Sequence, residues 1–267
     1  MFSRVRTRPS SPAAHPPGIR DTPDPTRSTV TLVNQTTTLA QRLTAVRARV
    51  QASAQAAGRS PDDVRVLLAT KTLEADVVRA ALELPEAAGM VRGENRVQEL
   101  VAKGPALADL PVETHLIGPL QSNKVNAALR WVSCIESVAS IDLGRRLSER
   151  VPAGSTLDVM VQVNVSGEPT KHGVVPEDAL DLAVQIAGLP GLRLVGFMTV
   201  GANSPEADLV RAGYARLADI RDRTLAEGIV TAAELSMGMS GDLELAVAEG
   251  ATLVRVGTAV FGPRTVR

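Results

Sequence analysis

Short apolar runs and helical stretches alternate along this sequence, and eight rounds of that alternation constrain the fold more than any other feature. The runs are rich in Val, Leu and Ile, as in Val64-Arg65-Val66-Leu67-Leu68-Ala69 and Leu192-Arg193-Leu194-Val195-Gly196-Phe197-Met198. They are too short for core helices and apolar almost throughout, which is how strands covered on both faces look in a parallel sheet. Strands are expected at 64–72, 90–91, 114–118, 131–138, 157–165, 192–198, 234–236 and 253–256. Helical periodicity fills 74–88, 95–103, 122–129, 141–150, 176–188, 205–228 and 242–250, with one more helix at 39–57 in front. Strict β–α alternation implies parallel strands joined by crossover helices. Eight such units in about 230 residues fit a single (β/α)8 TIM barrel. An open doubly wound sheet is the alternative. It usually carries a Gly-rich dinucleotide loop after its first strand, and here Lys71-Thr72 takes that place.

Residues 1–37 stand apart from the barrel expected over 38–267. Pro9, Pro12, Pro16, Pro17, Pro23 and Pro25 lie among Ser, Thr and Arg with almost no apolar periodicity. Such a segment buries too little surface to offset its ordering entropy, so a disordered tail is expected. It is rich in arginine and serine like an organellar transit peptide, but its prolines disfavour the amphipathic helix of such a signal. A misassigned start is the plainer reading. The tail lacks the apolar stretch of a secretory signal, and a cytoplasmic monomer is expected. The 29 basic and 29 acidic residues cancel, which argues against a broad nucleic-acid surface. No apolar run approaches the length of a membrane span. The lone cysteine, Cys134, excludes an intramolecular disulfide and suits a small buried core residue. His15, His115 and His172 show no ligand spacing, so no metal site is expected.

In such a barrel the chemistry gathers at the carboxyl ends of the strands. The first strand runs into Lys71 there. A poorly solvated lysine has a lowered pKa and becomes nucleophilic enough to form a Schiff base with a carbonyl; a strand-end lysine can also simply reach out to water. After the seventh strand comes Ser236-Met237-Gly238-Met239-Ser240-Gly241-Asp242, and after the eighth Gly257-Thr258. Glycines that let backbone N–H groups approach a ligand, just ahead of a helix, suit an anion. The loops after strands seven and eight are the usual phosphate site of this architecture. A Schiff-base lysine and a phosphate site in one mouth fit pyridoxal 5′-phosphate (PLP). They fit equally an aldolase that acts on a sugar phosphate without PLP.

The chain resembles the pyridoxal phosphate homeostasis protein family. The matching segments include Ala69-Thr70-Lys71-Thr72, Gly93-Glu94-Asn95-Arg96-Val97-Gln98-Glu99, His115-Leu116-Ile117-Gly118-Pro119-Leu120-Gln121-Ser122-Asn123-Lys124 and Lys171-His172-Gly173. Gly196-Phe197-Met198, Leu235–Ser240 and Val254–Thr258 complete the set, in family order over about residues 40–264. The resemblance implies a fold type III PLP barrel, similar to the N-terminal domain of alanine racemase. It implies that Lys71 carries PLP as an internal aldimine. It further implies that Ser236, Gly257 and Thr258, with Ser240, hold the phosphate. Arg255 would approach the pyridine nitrogen, Asn95 would lie beside the ring, and Met198 closes the sixth strand at the same rim. His115, Lys124 and Lys171 fall in family motifs without an assigned role. Where the family usually has an aromatic residue before Gly93, this chain has Arg92, a cation placed near the mouth where it would meet an anion.

Racemisation needs an acid/base on each face of the substrate. Alanine racemase draws its second, a tyrosine, with the help of a β domain that is not expected here. The only tyrosine, Tyr214, falls in mid-helix. A guanidinium beside the pyridine nitrogen would disfavour its protonation and weaken the ring as an electron sink. The expected function is therefore a reversible PLP carrier without robust catalysis and with no catalytic residues, which passes PLP to apo-enzymes. A weak amino-acid racemase is the alternative that keeps the cofactor.

Overall fold

The computed structural model describes the backbone of residues 25–263 and the side chains of residues 37–263. The chain divides into two units, Met1–Gln35 and Thr36–Arg267. In the first, residues 1–24 of the expected tail lie outside the described residues, and the rest is helical from Pro25. Helix α1 (Pro25–Ala56) thus starts well ahead of Leu39. Proline suits a first helical turn, while the threonine-rich residues 28–38 carry no apolar stripe and so gave no helical signal.

The second unit is a closed barrel of eight parallel strands in sequential order. The strands are β1 (Arg65–Ala69), β2 (Val91–Glu94), β3 (Thr114–Leu116), β4 (Cys134–Val138), β5 (Leu157–Gln162), β6 (Leu192–Met198), β7 (Glu234–Met239) and β8 (Leu253–Val256). Helices α2 (Ala75–Leu82), α3 (Val97–Leu107), α4 (Val125–Leu129), α5 (Ile141–Ser148), α6 (Ala179–Ala187), α7 (Ala207–Ala226) and α8 (Leu243–Ala248) connect them. A short helix α9 (Thr258–Phe261), absent from the sequence expectation, follows β8. The expected fold is the observed one.

Period-two alternation sorts each strand. Val66 and Leu68 face outward into the main core between sheet and helices, whereas Leu67 faces inward beside Val91 and Leu253. Gly93 is also inward, and the interior leaves no room for more: a Cβ there would lie 2.2 Å from Leu67 Cδ2. In α1, Leu39, Leu43, Val46, Val50 and Ala54 form one buried stripe at helical spacing. The same helix sends Arg49 to Ser240 O and Glu244. No helix among the described residues is long and apolar enough to cross a membrane.

Candidate functional site

Strand adjacency decides which sequence motifs meet. β1 pairs with β8, Leu68 opposite Val256, so the Lys71 turn and the Gly257 loop leave the rim side by side. A Cβ on Gly257 would stand 3.3 Å from Ala69 O. Ser240 belongs to this cluster: its Oγ accepts from the backbone N–H groups of Gly257 and Ala259, at 3.3 Å each. The β7–α8 loop that presents Ser240 is held by Asp242, whose carboxylate accepts from Met239 N at 2.6 Å and from Tyr214 Oη at 2.8 Å. Gly238 allows the loop its tight path, with φ +88° and a hypothetical Cβ only 2.4 Å from Ala246 Cβ.

The backbone around Lys71 is fixed from outside the barrel. Thr70 N donates to Gly93 O at 2.9 Å, and its hydroxyl donates to Glu94 Oε1 at 2.6 Å. Lys103, from α3, donates to Thr70 O at 2.8 Å and pairs with Glu94 at 2.8 Å and Glu99 at 3.6 Å. Glu99 Oε2 accepts the N–H of Thr72 at 2.6 Å. Thr72 is the only non-glycine with positive φ among the described residues, at +66°. A β-branched residue resists that conformation. Glu94 and Lys103 are buried, where charges persist only when paired. Lys71 itself is half-buried.

Inside the barrel a second polar chain runs across the strands. His115 Nδ1 lies 2.6 Å from Glu136 Oε1, and Ser236 Oγ donates to Glu136 Oε2 at 2.5 Å. Arg255 Nη1 donates to Ser236 Oγ at 2.8 Å and Ser236 O at 2.6 Å; its Nη2 donates to Thr199 O at 2.6 Å. All four side chains are buried. Burial works against a charge on His115, but the carboxylates of Glu113 and Glu136 override it and lift the imidazole to about 9. Burial likewise opposes ionisation of Glu136, yet His115, Arg255 and Ser236 hold it below the usual carboxylate range. The outcome is an imidazolium–carboxylate–guanidinium row that locks Arg255 in place.

Of the expected site residues, Lys71, Ser240, Gly257 and Thr258 gather at the rim, with Arg255 one layer below. Ser236 stands within the barrel wall with its hydroxyl donated to Glu136, so the loop hydroxyl beside Gly257 is that of Ser240. Met198 packs inward against Cys134 and Met160. Asn95 is half-buried and close against Gly118, where a Cβ would strike its carbonyl. Lys171 Nζ reaches Glu168 at 2.7 Å and Gly201 O at 2.7 Å. Arg92 departs from expectation. Because Gly93 faces inward, Arg92 faces outward, and its Nε donates to Thr114 Oγ1 at 3.1 Å; it does not stand in the mouth. Sequence reasoning passed over Glu94, Glu99, Lys103, Glu136 and Thr199. The signals were a carboxylate inside the apolar run Cys134–Val138 and the four-residue spacing of Glu99 and Lys103 on one helix.

A cavity of about 380 Å³ opens at the opposite, amino end of the barrel. Arg65, Glu113, Asp158, Arg193 and Glu234 line it. Both arginines are already paired there, Arg65 with Glu113 and Arg193 with Asp158 at 2.7 Å each, and the cavity shares only His115 with the inner row. Among the described residues no group of His, Cys, Asp and Glu could hold a metal.

Residues 41–265 match the family described as alanine racemase, N-terminal domain. The pyridoxal phosphate homeostasis protein of Pseudomonas aeruginosa is 46% identical over 230 residues, 85% of this chain and 96% of that protein. A crystal structure of an unknown protein from Bifidobacterium adolescentis superposes with a TM-score of 0.80 at 39% identity, over 85% of this chain and 96% of that one. PipY of Synechococcus elongatus, solved with PLP bound, gives a TM-score of 0.71 at 33% identity, over 84% of this chain and 100% of its own.

Proposed function

The chain belongs to the pyridoxal phosphate homeostasis protein family, on the alanine racemase N-terminal barrel, and on that footing we propose that it binds PLP reversibly. The observation that carries this reading is the convergence of Lys71, Ser240 and the Gly257-Thr258 backbone on one rim, above an immobilised Arg255.

The residues suit the group. Bound PLP would supply an aldehyde, and Lys71 is the rim residue whose amine would hold it. The Ser240 hydroxyl, steadied by the N–H groups of Gly257 and Ala259, and the Thr258 N–H at the start of α9 would be the donors for a phosphate. Arg255 is held by two carbonyls and a hydroxyl, and as a fixed cation it would disfavour protonation of the ring nitrogen of bound PLP. Ser236 serves as a positioning residue for Arg255. Asn95 and Met198 would lie beside the ring.

An unprotonated ring is a weak electron sink, which suits a protein that stores the aldehyde and releases it to apo-enzymes. Tyr214 gives no second acid/base, because its hydroxyl is bound to Asp242 and burial together with that carboxylate pushes its pKa upward. Absorbance of the purified protein titrated with PLP tests the reading. A band near the violet edge that Lys71→Ala abolishes is expected. Absence of the band in the wild type would point to a barrel aldolase instead, and Lys71-dependent turnover of amino acids would point to a racemase.

A further inference from the structure

We propose that Glu99 is a positioning residue for Lys71: its carboxylate holds Thr72 in a left-handed backbone conformation and thereby sets the direction in which Lys71 leaves β1. The proposal rests on the reading of Lys71 as the residue that takes up PLP.

Three observations carry it. Thr72 follows Lys71 directly and adopts φ +66°, a conformation its branched Cβ disfavours. Strain of that kind persists only where the surroundings over-determine it. Here the Thr72 N–H is captured by Glu99 Oε2 at 2.6 Å. Glu99 is in turn steadied by Lys103, one helical turn along α3 at 3.6 Å. Lys103 also grips Thr70 O, while Glu94 takes the Thr70 hydroxyl. The residues on both sides of Lys71 are therefore held by one set of charges borne on β2 and α3. Fixing the backbone on each side of a lysine leaves its side chain able to form and break a covalent link while the amine returns to the same place. That is the requirement of a reversible carrier. Without Glu99 the turn relaxes toward negative φ, and the Lys71 stem swings with it.

A double-mutant cycle between Glu99→Ala and Thr72→Gly tests the idea, with the rate of covalent PLP capture as readout. Glycine adopts positive φ without penalty. In the wild-type background Glu99→Ala is expected to slow capture about tenfold, whereas in the Thr72→Gly background it slows capture less than about threefold. Equal effects in both backgrounds, or no effect in either, would overturn the proposal. A second readout needs no PLP: amide exchange at Thr72 should be protected in the wild type and accelerate about tenfold in Glu99→Ala. Unchanged exchange would refute the hold on Thr72 even if capture slowed. Should the wild type capture no PLP while Thr72 stays protected by Glu99, the PLP reading falls and the backbone clamp stands.

Discussion

Lys71 stands in the turn after β1 and Arg255 on the neighbouring strand β8, and opposite means fix them. Lys71 is held through its chain neighbours Thr70 and Thr72, which Glu94, Glu99 and Lys103 bind from β2 and α3. Arg255 is held through its side chain, by Ser236 and Thr199 with Glu136 and His115 behind them, all within the barrel. The difference matches what each residue is asked to do. A lysine that forms and breaks a bond keeps its stem adjustable and its attachment point constant. An arginine that would set the charge beside a ring has both terminal nitrogens bonded.

The largest expected effect separates the two networks by stability. Lys103→Met keeps the packing volume but strands two carboxylates, one of them fully buried, and should cost about 3–5 kcal/mol in urea denaturation. Glu136→Gln keeps the hydrogen-bonding shape of the inner row and should cost about 1–3 kcal/mol. A reversal of that order would break the comparison.

Next comes pH, which should register on the inner row. His115 titrates at about 9 when folded, against about 6.5 when unfolded. A raised pKa contributes stability that is complete below about 6.5 and is lost as pH rises through about 9. Glu136→Gln should lessen that decline and leave the part that Glu113 supplies, and a decline left wholly intact by the substitution would remove His115 from the row.

Two smaller effects sharpen the division between rim and wall. Ser240→Ala should weaken PLP binding about tenfold and cost about 1 kcal/mol of stability, because its Oγ accepts two backbone N–H groups, whereas Ser236→Ala should cost more, because it cuts the link between Glu136 and Arg255. Calorimetric titration together with thermal melting distinguishes them. Tyr214→Phe should cost about 1 kcal/mol and leave the PLP spectrum unchanged.

The fold was legible because burial on both faces writes itself into a sequence. Leu192–Met198 and Leu253–Val256 are apolar enough to be bounded to the residue. The rim was legible through its glycines and Lys71. What escaped was direction and partnership. Alternation along β2 turns Arg92 away from the mouth, which composition before Gly93 could not disclose. Ser236 and Ser240 are equivalent as letters; a strand position places one in the wall and a turn places the other at the rim. Glu136 pairs with His115 across strands and with Ser236 one hundred residues away, a contact that only barrel closure creates.

The most direct test of the central claim is to load the protein with PLP, reduce it with borohydride and locate the modified residue by peptide mass spectrometry. The account predicts a pyridoxyl adduct on the peptide that contains Lys71 and loss of that adduct in Lys71→Ala. An adduct confined to Lys103, Lys124 or Lys171, or no adduct at all, would contradict it.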